Sequence, residues 1–205
     1  MKRREFAHYL TALLGGGALS VAQASDEAPD AMVKRISTEV LDAVKADAAI
    51  QAGDVGRITA LVDSKIMPNV NFSRMTASAV GRFWRQATPE QQKRLQDEFK
   101  TLLVRTYSGA LGEVKEHTLS FKPLRAKPED TEVVVRSEVR GRGEPIQLDY
   151  RLEKTAGGWK IYDLNVLGVW LVETYRSQFA QEINTKGLDG LIASLAQRNK
   201  ANGKS

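Results

Sequence analysis

The chain has 205 residues, with 30 Lys+Arg against 25 Asp+Glu, a net charge of +5, no cysteine and 42% hydrophobic residues. That length is too short for two ordinary enzyme domains but sufficient for one domain with a real core, and 27% charged beside 42% apolar residues excludes a wholly disordered or membrane-embedded chain. The absence of cysteine rules out disulfides, thiolate metal sites, a cysteine nucleophile and a lipid-modified N-terminal cysteine.

Residues 1–24 read as a secretory signal. Lys2, Arg3 and Arg4 form a positive leader, Ala7 to Val21 an apolar stretch, and Ala22-Gln23-Ala24 a small-x-small cleavage pattern. Gly15-Gly16-Gly17 and the short apolar run argue against a membrane span. Arg3-Arg4-Glu5-Phe6 leaves a twin-arginine route open beside the general one. Cleavage near Ala24 lowers the net charge from +5 to +3 and leaves residues 25–205 as a single domain outside the cytoplasm. Export without ATP or disulfides argues against a kinase, a DNA regulator or a redox enzyme.

Beyond an acidic lead at Asp26–Asp30, the spacing of Val33, Ile36, Val40 and Val44 predicts a helix ending near Gly53. Asp54 caps a second helix carrying Ile58, Leu61, Val62 and Ile66, which Pro68 stops. Ser73 is the expected cap of a brief helix towards Gly81, with Arg82-Phe83-Trp84-Arg85 as a further turn or two. Thr88-Pro89-Glu90-Gln91 combines an N-cap threonine, proline at the first helical position and glutamine at the third. The helix it opens carries Leu95, Phe99, Leu102, Leu103, Tyr107 and Leu111 on one face and runs to about Gly112.

The period then changes to two. Thr131–Arg142 alternates Val133, Val135 and Val139 with charged residues, and Ile146, Leu148, Tyr150 and Leu152 alternate with Gln147, Asp149, Arg151 and Glu153. Gly157-Gly158 turns into a third strand, Trp159–Leu167, and Thr118–Ala126 is a weaker fourth. Short connections predict an antiparallel meander. Helical spacing returns with Leu171, Tyr175, Phe179 and Ile183, and a last helix follows Gly187. The expected class is α+β, with helices before and after a curved antiparallel sheet of about four strands and packed on one side of it.

Little here carries catalysis. His117 beside Glu116 is a conceivable general base or an ordinary surface histidine, and no HExxH, histidine pair or acidic cluster offers a metal site. Nothing matches GxSxG, a phosphate-cradling loop or a dinucleotide fingerprint. Asp149-Tyr150 and Tyr162-Asp163 could build an acid–base pocket on a curved sheet, or be ordinary strand pairs. Basic residues are spread along every element, whereas a nucleic-acid footprint is a patch or stripe. What remains is apolar: aromatics where helices meet sheet, and the run Val166-Leu167-Gly168-Val169-Trp170-Leu171-Val172 at a strand-to-helix corner.

Several segments occur in a recognisable series: Gly81-Arg82-Phe83-Trp84 ahead of Thr88-Pro89-Glu90-Gln91-Gln92, then Leu102-Leu103-Val104-Arg105-Thr106-Tyr107. Asp149-Tyr150-Arg151-Leu152, Gly158-Trp159-Lys160-Ile161-Tyr162-Asp163 and Gly168-Val169 follow, then Tyr175-Arg176-Ser177-Gln178-Phe179 and Lys186-Gly187-Leu188-Asp189-Gly190-Leu191. In this order the chain resembles the MlaC family (the toluene-tolerance Ttg2 family), periplasmic phospholipid-binding components of the Mla lipid-transport system. One departure is Trp170, since the family usually has a small residue after the Gly-Val pair.

The resemblance implies a non-enzymatic periplasmic carrier whose only ligand is phospholipid cargo, moved between an outer-membrane lipoprotein–porin complex and an inner-membrane ABC transporter bearing an MCE-domain subunit. Burying a methylene contributes ~0.8 kcal/mol, so two acyl chains crossing water bare face a barrier of order 20 kcal/mol. The expected cavity is apolar and at the upper end of roughly 300–1,000 Å³ or beyond. Its candidate lining is Val70, Phe72, Val80, Phe83, Trp84, Tyr107, Val135, Leu148, Tyr150, Val169, Trp170, Leu171 and Tyr175. Arg82, Arg85 and Arg176 are the candidates for the head-group phosphate. Two alternatives remain: an acid–base enzyme using Asp149, Tyr150, Tyr162 or His117, and a periplasmic adaptor or chaperone-like protein with a filled core.

Overall fold

A computed structural model describes residues 27–113, 116–141 and 143–201, so the leader, its cleavage pattern and the paired arginines lie outside the described residues. Helix α1 (Pro29–Ala46) carries the Met32, Val33, Ile36 and Val44 stripe and ends at Asp47. Asp47 breaks the expected single helix by capping a short α2 (Ala48–Gln51), its Oδ1 accepting from the Ala49 and Ile50 amides. Asp54 caps α3 (Val55–Leu61) as expected, its Oδ1 accepting from Arg57 N at 2.9 Å. A π-helical turn (Val62–Ile66) and a 3₁₀ turn (Met67–Asn69) continue the chain.

The cap of α4 (Phe72–Val80) differs from expectation. Asn71, not Ser73, accepts from Arg74 N at 3.0 Å. Asn71 also donates its own amide to Ile161 O at 2.8 Å, so a contact with the sheet fixes where this helix starts. Gly81, at φ 67, ends it in a conformation that costs glycine little. The 3₁₀ turn Gly81–Gln86 leads to α5 (Pro89–Glu113), opened by a reciprocal box: Gln91 N donates to Thr88 Oγ1 and Thr88 N to Gln91 Oε1.

Strands β1 (Thr118–Phe121), β2 (Glu132–Arg140), β3 (Ile146–Thr155), β4 (Gly158–Val166) and β5 (Val169–Trp170) form one antiparallel sheet in sequence order. The fifth strand is only two residues long and folds back on β4 through a turn at Leu167-Gly168. In α6 (Leu171–Ala201), Gly187 at φ 70 and ψ −179 separates the two helical stretches that the spacing predicts. The architecture is α+β, with helices before and after an open antiparallel sheet.

Registers Val139↔Ile146, Ser137↔Leu148, Val135↔Tyr150 and Val133↔Leu152 place these residues on one face of the sheet. Beyond the bulge between Arg151 and Leu152, Leu164 pairs with Tyr150 and Val166 with Leu148 on that same face. The interior divides into three apolar clusters. One joins α4, α5 and α6 around Phe99, whose ring meets Tyr175 and Phe179 edge-on at 4.9 and 5.3 Å. A second joins α1 to the sheet through Met32, Val33, Val135 and Leu152. The third joins α1, α2, α3 and α5 through Val44, Ile50, Ile58 and Val104. No helix among the described residues is long and apolar enough to cross a membrane.

Candidate functional site

Between the three clusters lies a cavity of about 380 Å³. Ile36, Val40 and Val44, one turn apart on α1, form one wall. Lys100, Leu103, Val104 and Tyr107 of α5 form another at the same helical spacing. The π turn contributes Val62 and Ile66, α4 contributes Phe72 and Met75, and the floor is the inner face of the sheet from Leu119 and Val139 through Ile146, Leu148 and Tyr150 to Leu164 and Val166. The volume falls at the lower end of the ligand-pocket range, smaller than the resemblance implies.

Among the described lining residues, only Ser37, Lys100, Tyr107 and Tyr150 carry a side-chain oxygen or nitrogen. The Tyr150 hydroxyl lies 3.4 Å from Ser37 Oγ, and burial raises its pKa above the ordinary 10. Burial raises Tyr107 likewise, so both phenols stay neutral. Lys100 Nζ donates to Asp63 Oδ1 at 2.8 Å at the edge of the wall. A wall of this kind suits hydrocarbon.

The residues weighed for acid–base chemistry are scattered. Tyr150 faces the cavity, whereas Asp149, one residue earlier, points to the opposite face, where Gln147 Nε2 donates to it at 2.9 Å and Arg136 approaches at 3.8 Å. Asp163 is buried beside Arg151, and its Oδ1 accepts from the Leu164 and Val172 amides, which ties β4 to the first turn of α6. Desolvation raises its pKa, but its geometry is that of a structural cap. Tyr162 donates to Glu132 Oε2 at 3.1 Å beneath the Arg74 guanidinium, and the ring of His117 lies against Gly141. Among the described residues no group of three or more His, Cys, Asp or Glu could hold a metal.

The model of the MlaC protein family matches residues 34–197. This chain belongs to the MlaC family. It is similar to the phospholipid-binding protein from Ralstonia solanacearum, solved in complex with a phospholipid, at 49% identity and a TM-score of 0.82 over 85% of this chain and 98% of that one. Toluene tolerance protein ttg2D of Pseudomonas putida is 25% identical over 182 residues, covering 85% of each chain. The intermembrane phospholipid transport system binding protein MlaC of Haemophilus influenzae is 20% identical over 177 residues, covering 84% of this chain and 83% of that one.

In this MlaC-family chain, six of the expected lining residues face the cavity: Val70, Phe72, Tyr107, Leu148, Tyr150 and Leu171. The other seven do not. Val80 and Tyr175 are packed inside the cluster of α4, α5 and α6, with Phe83 and Trp84 partly buried against it. Val135 shares a face with Leu148 but is closed over by the α1 cluster. Val169 is 54% exposed on the surface. Trp170 of β5 pairs with Asn165 of β4 and lies under Arg151, whose guanidinium is 3.8 Å from the ring centroid. Its indole therefore does not narrow the cavity, despite its place beside Gly168-Val169.

The three arginines proposed for phosphate are also elsewhere. Arg82 sits over the Phe83 ring at 4.8 Å, Arg176 lies against Gly81, and Arg85 stands in the last turn before Ala87; none lines the cavity. Sequence reasoning missed Ile36, Val40, Val44, Ile58 and Leu103, which it read as helix stripe, and Lys100, which it did not single out. An apolar stripe carries the same signal whether it meets a neighbour or a cavity.

Proposed function

We propose that this chain is a non-enzymatic phospholipid carrier that encloses acyl chains in the cavity between α1, α5 and the sheet. The observation that carries the reading is the almost wholly apolar wall of that cavity, in a chain 49% identical to a protein solved with a phospholipid. Tails enter because each methylene removed from water contributes ~0.8 kcal/mol, while the polar head remains at the mouth. With about 380 Å³ inside, taking up two full chains requires α1 and the π turn to move away from the sheet, and handover runs through the same separation.

The finer reading follows the family. Residues 25–205 form one lipid-binding domain, released to the periplasm by cleavage near Ala24. It shuttles phospholipid between an outer-membrane lipoprotein–porin complex and an inner-membrane ABC transporter with an MCE-domain subunit. The name of the Haemophilus relative, a binding protein of an intermembrane phospholipid transport system, supports this reading.

The test is native mass spectrometry of protein purified from the periplasm, followed by extraction and lipid analysis. A mass excess of one or two phospholipids in stoichiometric yield is expected. A bare mass, in protein that also takes up no lipid from vesicles, would refute the carrier and favour an adaptor on the same fold.

A further inference from the structure

We propose that Lys100 is the phosphate anchor of the cavity, its ammonium exchanging Asp63 for the phosphodiester of a lipid whose tails lie inside. The proposal rests on the reading of the chain as a phospholipid carrier. Among the described lining residues, Lys100 alone carries a charge. It belongs to the α5 stripe that continues through Leu103, Val104 and Tyr107, so its stem lies along the apolar wall. Its side chain is 27% exposed, and its partner Asp63 is 48% exposed. The ammonium therefore stands where the wall meets water.

That position is the one a lipid phosphate must occupy. The tails gain by entering the apolar space, and the charged phosphate loses too much hydration to follow them. A cation at the rim satisfies both. The exchange is also easy: a partly exposed Lys–Asp pair contributes little net stability, and a phosphodiester replaces one negative charge with another. Asp63 sits on the π-helical turn whose Val62 and Ile66 line the cavity, a geometry frequent at functional sites. Arg82, Arg85 and Arg176 have no such position, since none lines the cavity.

The contact is read by letting the delipidated full chain choose between phosphatidylglycerol and diacylglycerol of matched acyl chains, presented in mixed vesicles, with the bound species identified by native mass spectrometry. A charge-assisted contact at a half-exposed rim gives the wild type about a tenfold preference for the phospholipid. Lys100→Gln brings the ratio to about one by lowering uptake of phosphatidylglycerol about tenfold relative to diacylglycerol. Asp63→Asn breaks the same ion pair but frees the ammonium, so its preference equals or exceeds that of the wild type. Equal loss in both variants would mean the pair only holds the wall together, and would overturn the proposal. So would a wild-type ratio in Lys100→Gln. Erasure of the preference by millimolar inorganic phosphate would make the site one for free anions and overturn it too. Uptake of both lipids without preference refutes the anchor and leaves the carrier standing; uptake of neither by the wild type refutes the carrier itself.

Discussion

Leu148 and Leu152 offer a direct contrast, because they lie on the same face of the same strand, four residues apart, with opposite surroundings. Leu152 is 0% exposed in the cluster beneath α1, whereas Leu148 is half-buried and faces the cavity. Leu152→Ala empties packed volume and should cost 2–5 kcal/mol, or roughly 5–15 °C in Tm for a chain of this length. Leu148→Asp changes a half-buried side chain that borders the cavity, where water can reach the carboxylate in the lipid-free protein, so about 1–2 kcal/mol is expected. Its effect falls on binding instead. If about four methylenes lose their apolar wall, some 3 kcal/mol of tail burial disappears, roughly a hundredfold in affinity. Both variants are to be melted in the delipidated state, since bound lipid itself raises Tm, and then loaded from vesicles and extracted. The expected outcome is a stable Leu148→Asp protein without lipid and a destabilised Leu152→Ala protein with it. Wild-type lipid content in Leu148→Asp, with a melting loss as large as that of Leu152→Ala, would show that Leu148 belongs to packed core and would sink the assignment.

Other expectations follow from the same geometry. Val169→Asp, at a surface position, should leave lipid content and Tm unchanged; loss of lipid in this variant would return the strand-to-helix corner to the cavity. Thr88→Ala removes one half of the reciprocal box at the start of α5 and should cost about 1 kcal/mol, a Tm drop of some 2–4 °C, with lipid loading intact. Glu132 is held below its ordinary 4.5 by hydrogen bonds, chiefly from Arg74 and then from Tyr162. Its contribution is complete above pH 4.5 and is lost as the pH falls through the lowered folded value, so Glu132→Gln should flatten that part of the acid-unfolding profile. The side chain is half-exposed, which keeps the effect small, and an unchanged acid limb would refute the role of this pair.

The parts legible in the sequence were those written within a few residues. The Thr88–Gln91 box, the Asp54 cap, the break at Gly187 and the alternation of β2 all stand in the structure, because each is set by local geometry. Errors arose where a distant contact chose between local options. Asn71 and Ser73 both can cap a helix, and the bond from the Asn71 amide to Ile161 selects the former. Strand β5 is too short to announce itself and exists because the turn at Leu167-Gly168 returns the chain to Val166 and Asn165. The site divided the same way: the inward faces were legible, but among them Phe72 and Leu148 border the cavity while Val80 and Val135 are packed, a difference that no local pattern carries.

Sequence by itself determined the order of helices and strands and the face each presents. Tertiary structure alone decided which inward faces meet packed atoms and which meet a cavity. Val135 and Leu148 make the point, lying on one face of adjacent strands, the first sealed under α1 and the second open to 380 Å³. A period of two says which side a residue points to; what lies opposite depends on how far α1, α5 and the π turn stand from the sheet. The same limit concealed Lys100, whose charge reads as ordinary helix surface until the fold places it on the rim of the cavity.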